Sequence, residues 1–358
     1  MLNQDVDISS GSTLSNDSGL TIRQLSGGPY TIDNRGTIEA TNITSNTNPN
    51  IRLEVGTSVD NSGLIDTSGS ANLNSILFID NSGTNSLINS GTIQTETTGQ
   101  YGQAINVENA SLTEITNSSG GTIKVTDSSL NAGAIVINTG ASVNTITNNG
   151  TITAIGTTHS RGITSIFTGT IDRIDNTGTI QAQGGSESNH GIVFWNNSGT
   201  TVTNSGTIQG TGGNYSYGIR KGSNGSITKI TNTGTIKGGK DGISNSGIIT
   251  NIVNTGTITG TSGYGIHNGD GSITNLTNSQ NNLTYTAYLP TNYYVKVNSS
   301  SSYGKITFSN PQGSMNVGIG DDSTLSEGTY ETVIDGVSSS NISESSGTYV
   351  SNVNHYKY

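Results

Sequence analysis

The chain has 358 residues, a formal net charge of −10, only 11% charged residues and no cysteine. The acidic balance argues against a nucleic-acid partner, which calls for a basic footprint. The missing cysteines exclude a disulfide framework and thiolate chemistry. Hydrophobic residues make up 29% and glycines number 50, too lean for an ordinary globular core, so the chain is either disordered or built on a thin repeated one.

A repeat decides between these. The unit Asn-x-Gly-Thr-Ile recurs with its Asn at Asn34, Asn61, Asn89, Asn117, Asn148, Asn176, Asn204, Asn232, Asn254 and Asn278. The steps are 27, 28, 28, 31, 28, 28, 28, 22 and 24 residues, a period that identifies solenoids. Gly63-Leu64-Ile65 is a variant, and at Asn278-Ser279-Gln280 the Gly is lost.

In chain order, residues 1–30 are polar and irregular and read as a ragged cap or partial coil. Residues 31–100 hold less regular coils, with an insertion near Asn46–Pro49 and an extra Asn-Ser-Gly at Asn81 suggesting loops. Residues 101–280 are the most regular, and a second piece, Gly-Ile, recurs at Gly162, Gly191, Gly218, Gly242 and Gly265. One full unit, 217–238, contains three short β-branched pieces punctuated by Gly, Asn and Ser, which reads as three strands and three turns per coil. Residues 31–280 are thus expected to form a parallel β-solenoid, its coils about 4.8 Å apart, giving a rod section of roughly 43 Å.

Alternation along Gly-Thr-Ile-x points the Ile inward. The predicted inner column is Ile38, Ile93, Ile123, Ile152, Ile180, Ile208, Ile236 and Ile258. The Asn column is expected to form a buried side-chain ladder through Asn148, Asn176, Asn204, Asn232 and Asn254, because a turn role alone does not explain in-register copies.

Beyond residue 281 the units stop and nine of the 14 tyrosines follow. Longer alternating stretches such as Tyr293-Tyr294-Val295-Lys296-Val297 predict a C-terminal β cap over 281–358, covering the open end that a solenoid otherwise exposes.

These stacked Ile-Thr-Asn-x-Gly-Thr-Ile units resemble the passenger repeats of bacterial autotransporters. The tail from Leu289-Pro290-Thr291-Asn292-Tyr293 to Glu327-Gly328-Thr329-Tyr330 is similar to the passenger segment that precedes their translocator barrel. The resemblance implies an all-β, right-handed parallel β-helix, export to the cell surface, outer membrane or medium, and an adhesive or toxin-like role. It also implies a signal peptide and a C-terminal barrel in a full-length protein. Neither is visible here, so the sequence is expected to be a fragment or truncated frame.

The search for chemistry turns up little. Arg161, His190, Tyr217, Asp241 and Tyr264 lie beside the Gly-Ile pieces, with His159 and His267 close by. They form a candidate stripe for a glycan or surface protein; the plainer reading, variable residues on a solvated corner, carries more weight. The histidines lack metal-ligand spacing, and Asp270 and Asp321-Asp322 match no calcium repeat, so no metal or cofactor is expected. Asp172, Arg173 and Asp175 are the densest charged group. Alternation places 173 and 175 on one side as a surface ion pair and 172 on the other, so paired catalytic carboxylates are not apparent. The outward Thr rank from Thr37 to Thr257 suits exposed strands better than an ice-binding surface, because its neighbouring rank mixes Glu39, Lys124 and Lys237 with neutral residues. The expected function is a non-enzymatic adhesive or scaffolding rod. The alternatives are a toxin-like passenger or a β-helix enzyme acting on polysaccharide.

Overall fold

A computed structural model describes residues 4–17, 21–24, 27–45, 49–79, 83–327, 329–344, 348–351 and 354–357, and side chains as far as 343. The Asn81 unit and residues 46–48 of the insertion lie outside them. The chain winds as a parallel β-solenoid of about 12 turns. Among the described residues three long sheets of 14, 10 and 13 strands run along the stack. A representative coil places Ser226–Asn232 on the first sheet, Thr235–Gly238 on the second and Asp241–Asn245 on the third. Each strand pairs in parallel with its equivalent one coil on, Ile230 with Ile252, Ile236 with Ile258 and Ile243 with Ile266.

One coil cannot bury its own isoleucines; stacking does it. The predicted column from Ile38 to Ile258 is buried throughout, and the third sheet adds Ile163, Ile192, Ile219, Ile243 and Ile266. First-sheet strands break strict alternation. Ile227 and Ile230 are both buried because Thr228 and Lys229 both face out, with Thr228 skipped in the pairing register. The same bend exposes both Asp172 and Arg173, which corrects the opposite-sides placement expected from alternation. Arg173 does pair with Asp175, at 2.5 Å.

Close approach explains both recurring glycines of the coil. A Cβ on Gly234 would lie 2.2 Å from the Gly206 carbonyl one coil back. A Cβ on Gly218 would lie 2.6 Å from Cγ2 of the core residue Ile236. Any side chain at either place would push coils or core apart.

The Asn column is a continuous ladder. From Asn34 to Asn278 each side-chain amide donates to the side-chain oxygen of the next Asn, over 2.7–3.1 Å. The rungs from Asn34 to Asn232 also reach backbone carbonyls, as where Asn204 Nδ2 meets those of Gly206 at 3.2 Å and Thr235 at 3.1 Å, whereas Asn254 Nδ2 donates to Gln280 Oε1 at 3.0 Å. The ladder ends where Asn278 donates to the Gln280 carbonyl at 2.9 Å. At its start, Asn34 Oδ1 is buried without a partner, because Ile8 occupies the equivalent place in the preceding coil.

Val6–Ile8, Thr13–Asn16 and Ile22–Gln24 supply one strand to each sheet before residue 30. At the other end the second sheet stops at Thr257–Gly260, while the first and third continue through Asn292–Val295 and Leu283–Tyr288. The side chain of Gln280 then takes the place of a strand. Its Oε1 accepts the Ile258 N–H at 2.8 Å and its Nε2 donates to the Ile258 carbonyl at 3.2 Å. Three rings fill the last turns: Phe308 lies 5.1 Å from Tyr285 and 6.3 Å from Tyr293, centroid to centroid. Among the described residues no helix is long and apolar enough to cross a membrane.

Candidate functional site

Most of the rod's exterior is hydroxyls and amides, but one region of the third sheet differs. Parallel pairing stacks Gly133, Arg161, His190, Tyr217 and Asp241 in one row on successive coils. The adjacent outward row carries Thr164, Val193, Arg220, Ser244 and His267. Side chains from different coils, about 4.8 Å apart, therefore meet along the rod axis. Tyr264 stands at the end of the first row, where its backbone N–H donates to Asp241 Oδ1 at 2.7 Å.

His190 is the centre of the cluster. Its ring stacks on Tyr217 with centroids 5.1 Å apart and planes 6° from parallel. It is only 1% exposed, and both ring nitrogens lack a hydrogen-bond partner. Burial, then the positive charges of Arg220 and Arg161, hold it well below the ordinary histidine value, so it is neutral at physiological pH. The row is therefore largely packed rather than a solvated corner.

Cations surround it. The Arg220 guanidinium lies 4.6 Å from the Trp195 ring centre and 6.0 Å from that of Tyr217. Lys240 Nζ sits 5.0 Å from the ring of Tyr215, which is 54% exposed. The chain has six arginines. Arg23, Arg35, Arg52 and Arg173 each pair with a carboxylate. Among the described residues Arg161 and Arg220 do not, and Arg161 Nε has no hydrogen-bond partner. Burial and then the positive charge of Arg220, two coils on, lower the Arg161 value.

Each carboxylate nearby faces a histidine, and the buried Asp241 Oδ2 has no hydrogen-bond partner. Glu187 Oε2 lies 3.5 Å from His159 Nε2, whose Nδ1 contacts Ser188 Oγ at 2.7 Å. Asp241, 1% exposed, faces His267 Nδ1 at 3.5 Å. The Tyr217 hydroxyl, bonded to Ser244, is raised above its ordinary value by burial and then by Asp241. A shallow cleft of about 280 Å³ opens beside the stack, lined by His159, Glu187, Ser188, Tyr215, Tyr217 and Arg220. A smaller one of about 110 Å³ lies on the other side of His190, between Tyr101 and Arg161.

A wider groove, about 480 Å³, lies elsewhere, on the first sheet near Lys229, Tyr294 and Asp321. Its floor includes Asn251 and Asn275, part of an outer amide ladder running on to Asn292 and Asn316 with bonds of 2.8–2.9 Å. Those amides satisfy one another, which leaves less unmet bonding capacity there than beside His190.

Trp195, Tyr215, Arg220, Glu187 and Lys240 were not singled out by sequence. Arg220 had a signal: it follows the inward Ile219 and so faces out beside Tyr217. Trp195 and Tyr215 reach the site from turns of unequal length, which no period marks. Among the described residues no group of three or more His, Asp or Glu is placed to hold a metal ion.

The molecule is thus a parallel β-solenoid with one aromatic and cationic patch on its third sheet. No family model, curated protein or solved structure matches the chain.

Proposed function

We propose that this chain is a non-enzymatic adhesive rod, the surface-exposed or secreted passenger of an autotransporter-like protein, whose patch around His190 contacts a glycan or surface protein. The observation that carries this reading is the concentration of rings and unpaired cations on one face of a solenoid whose exterior is mostly hydroxyls and amides. Exposed rings with arginine beside them are the usual anchors of recognition surfaces. A sheet-built platform holds them rigidly and lowers the ordering cost of binding. The export route rests on the resemblance of the repeats and tail to autotransporter passengers.

Beads coated with the purified chain should adhere to polysaccharide-bearing or cell surfaces, and Trp195→Ala with Tyr215→Ala should abolish that adhesion. Adhesion to no surface, or adhesion indifferent to these changes, would reject the reading.

A second reading, an enzyme acting on polysaccharide, draws on the cleft that brings His159, Glu187 and Arg220 together. It is the weaker of the two. A general base must be free and tuned toward the working pH, whereas the Tyr217 hydroxyl is raised and Asp241 is buried outside the lining of the cleft. Release of unsaturated or reducing sugar ends, lost on His159→Ala or Glu187→Gln, would favour it.

A further inference from the structure

We infer that the patch recognises an anionic polysaccharide, one bearing carboxylates on its sugar rings, laid along the rod across several coils; this rests on the adhesive reading above. Three observations converge. Arg161 and Arg220 are the two arginines without a carboxylate among the described residues, in a chain of net charge −10. Two cations held two coils apart on one face, without a carboxylate partner amid abundant acid, leave positive charge that an incoming carboxylate can meet. A guanidinium fork matches a carboxylate with two parallel hydrogen bonds, which a lysine point charge does not.

The second observation is the pair of unpartnered nitrogens of the neutral His190. One is a donor and the other an acceptor. A sugar hydroxyl both donates and accepts, so one class of group complements either nitrogen once the side chains above it part. The third is the supply of ring faces. Tyr101 is 50% and Tyr215 54% exposed, on opposite sides of His190 along the axis. Phe167 adds an exposed ring one coil from Asn196, whose side chain bonds its carbonyl at 2.8 Å. Its φ of 52° is a conformation that a bulky residue rarely adopts. Local strain retained to present a ring outward is a mark of functional surface.

The shape selects a polymer. Two shallow clefts on either side of one buried ring do not enclose a small ligand. A chain crossing both would meet Arg161 first and Arg220 two coils later, about 10 Å along the rod. An acidic peptide would offer carboxylates but fewer hydroxyls for His190, and nucleic acid is opposed by the protein's own charge.

The test is calorimetric titration of the intact chain with galacturonate oligomers, with the same oligomers after carboxyl reduction, and with a sulfated galactan. The uronate should bind, the reduced oligomer about tenfold more weakly, and added salt should erode the difference. Arg220→Gln and Arg161→Gln should each weaken uronate binding about tenfold and narrow the difference between the uronate and its reduced form. Arg220→Lys, which keeps the charge but loses the fork, should fall between. Should Arg220→Gln fail to fold, as judged by its thermal transition, Arg220→Lys and the salt dependence decide. Equal binding of neutral and acidic oligomers, or full binding by the arginine variants, overturns the inference and leaves the adhesive rod standing. Preference for the sulfated polymer with uronate no better than neutral overturns it too. Adhesion to cells or proteins with no saccharide bound overturns the inference alone; adhesion to nothing overturns both.

Discussion

Asn204 donates its side-chain amide to the side-chain oxygen of Asn232 over 2.8 Å, and both residues are fully buried. Every rung points the same way, from one coil to the next. Removing one rung therefore strands an acceptor on one side and a donor on the other. Asn204→Ala should cost on the order of 3 kcal/mol, the sum of lost bonds and orphaned partners. Asn204→Asp should cost more, since a buried carboxylate loses the amide donor and adds charge. Thr203→Ala, on the outward side, should cost well under 1 kcal/mol. Urea unfolding would read all three, and an Asn204→Ala variant as stable as Thr203→Ala would show the ladder to be ornamental.

The inward register gives a sharper contrast. Ile236 is fully buried and the adjacent Lys237 is exposed. Ile236→Asp should disrupt the local coils, while Lys237→Asp should be tolerated. Circular dichroism melts of the two variants check this; equal losses would contradict the register.

Gln280 offers a local test. Its amide closes both backbone groups of Ile258 at the end of the second sheet. Gln280→Ala should leave them unpaired and cost about 1–3 kcal/mol. Hydrogen exchange should quicken first in Thr257–Gly260 and leave Thr207–Gly210 unchanged. Unaltered protection at Ile258 would mean that water serves equally well.

Deleting residues 281–358 removes the rings of Tyr285, Tyr293 and Phe308 from the end of the core. The truncated rod should expose Ile266 and Leu276 and associate through its open edge. Light scattering and exchange on both forms would show aggregation, with protection lost first near Asn254. A monomeric truncated rod with full protection to residue 280 would make the tail a linker rather than a cap.

Lys221 predicts a pH effect. It is fully buried, and burial pushes it down to about 8. Its ammonium donates to the carbonyls of Gly222 at 3.1 Å, Trp195 at 3.5 Å and Asn224, which support the charged form and limit the depression. The unfolded chain holds this proton to about pH 10.4. Between the two values the unfolded state binds the extra proton, so stability rises with pH across that window. The cost is fully present below the lower value, and the rise is at most about 3 kcal/mol. Urea unfolding from pH 7 to 10.5 would show it, and Lys221→Met should flatten the slope. A wild-type curve falling over that range would contradict the assignment.

The parts legible in the sequence are those that occur once per coil under one physical constraint. Ile236 must be apolar, Asn232 must bond up and down, and Gly234 and Gly218 leave no room for Cβ, so each repeats and the column shows. Other features break the period. The bend at Thr228 puts two neighbours outward, which misplaced Asp172 relative to Arg173. Lys221 was legible by alternation from Ile219, but its charge suggests the surface. Within the patch, Arg161, His190, Tyr217 and Asp241 were found through the adjacent Gly-Ile. Trp195 and Tyr215 complete it from turns that no period marks, and Arg220 from a recurring row whose residue type changes at every coil.

The ladder has a further consequence for how such a molecule changes size. Its rungs stay bonded across steps of 22, 24, 27, 28 and 31 residues, so surplus or missing residues are taken up in the turns and in the second- and third-sheet strands, which shorten from 6 to 4 and from 8 to 5 residues. The stacking register is held constant while the number of coils is not. Duplicating one unit lengthens the rod by about 4.8 Å and creates no new kind of contact. Reach becomes a quantity counted in whole coils, and the distance from the patch to either end can be reset by inheritance without redesigning the surface that binds.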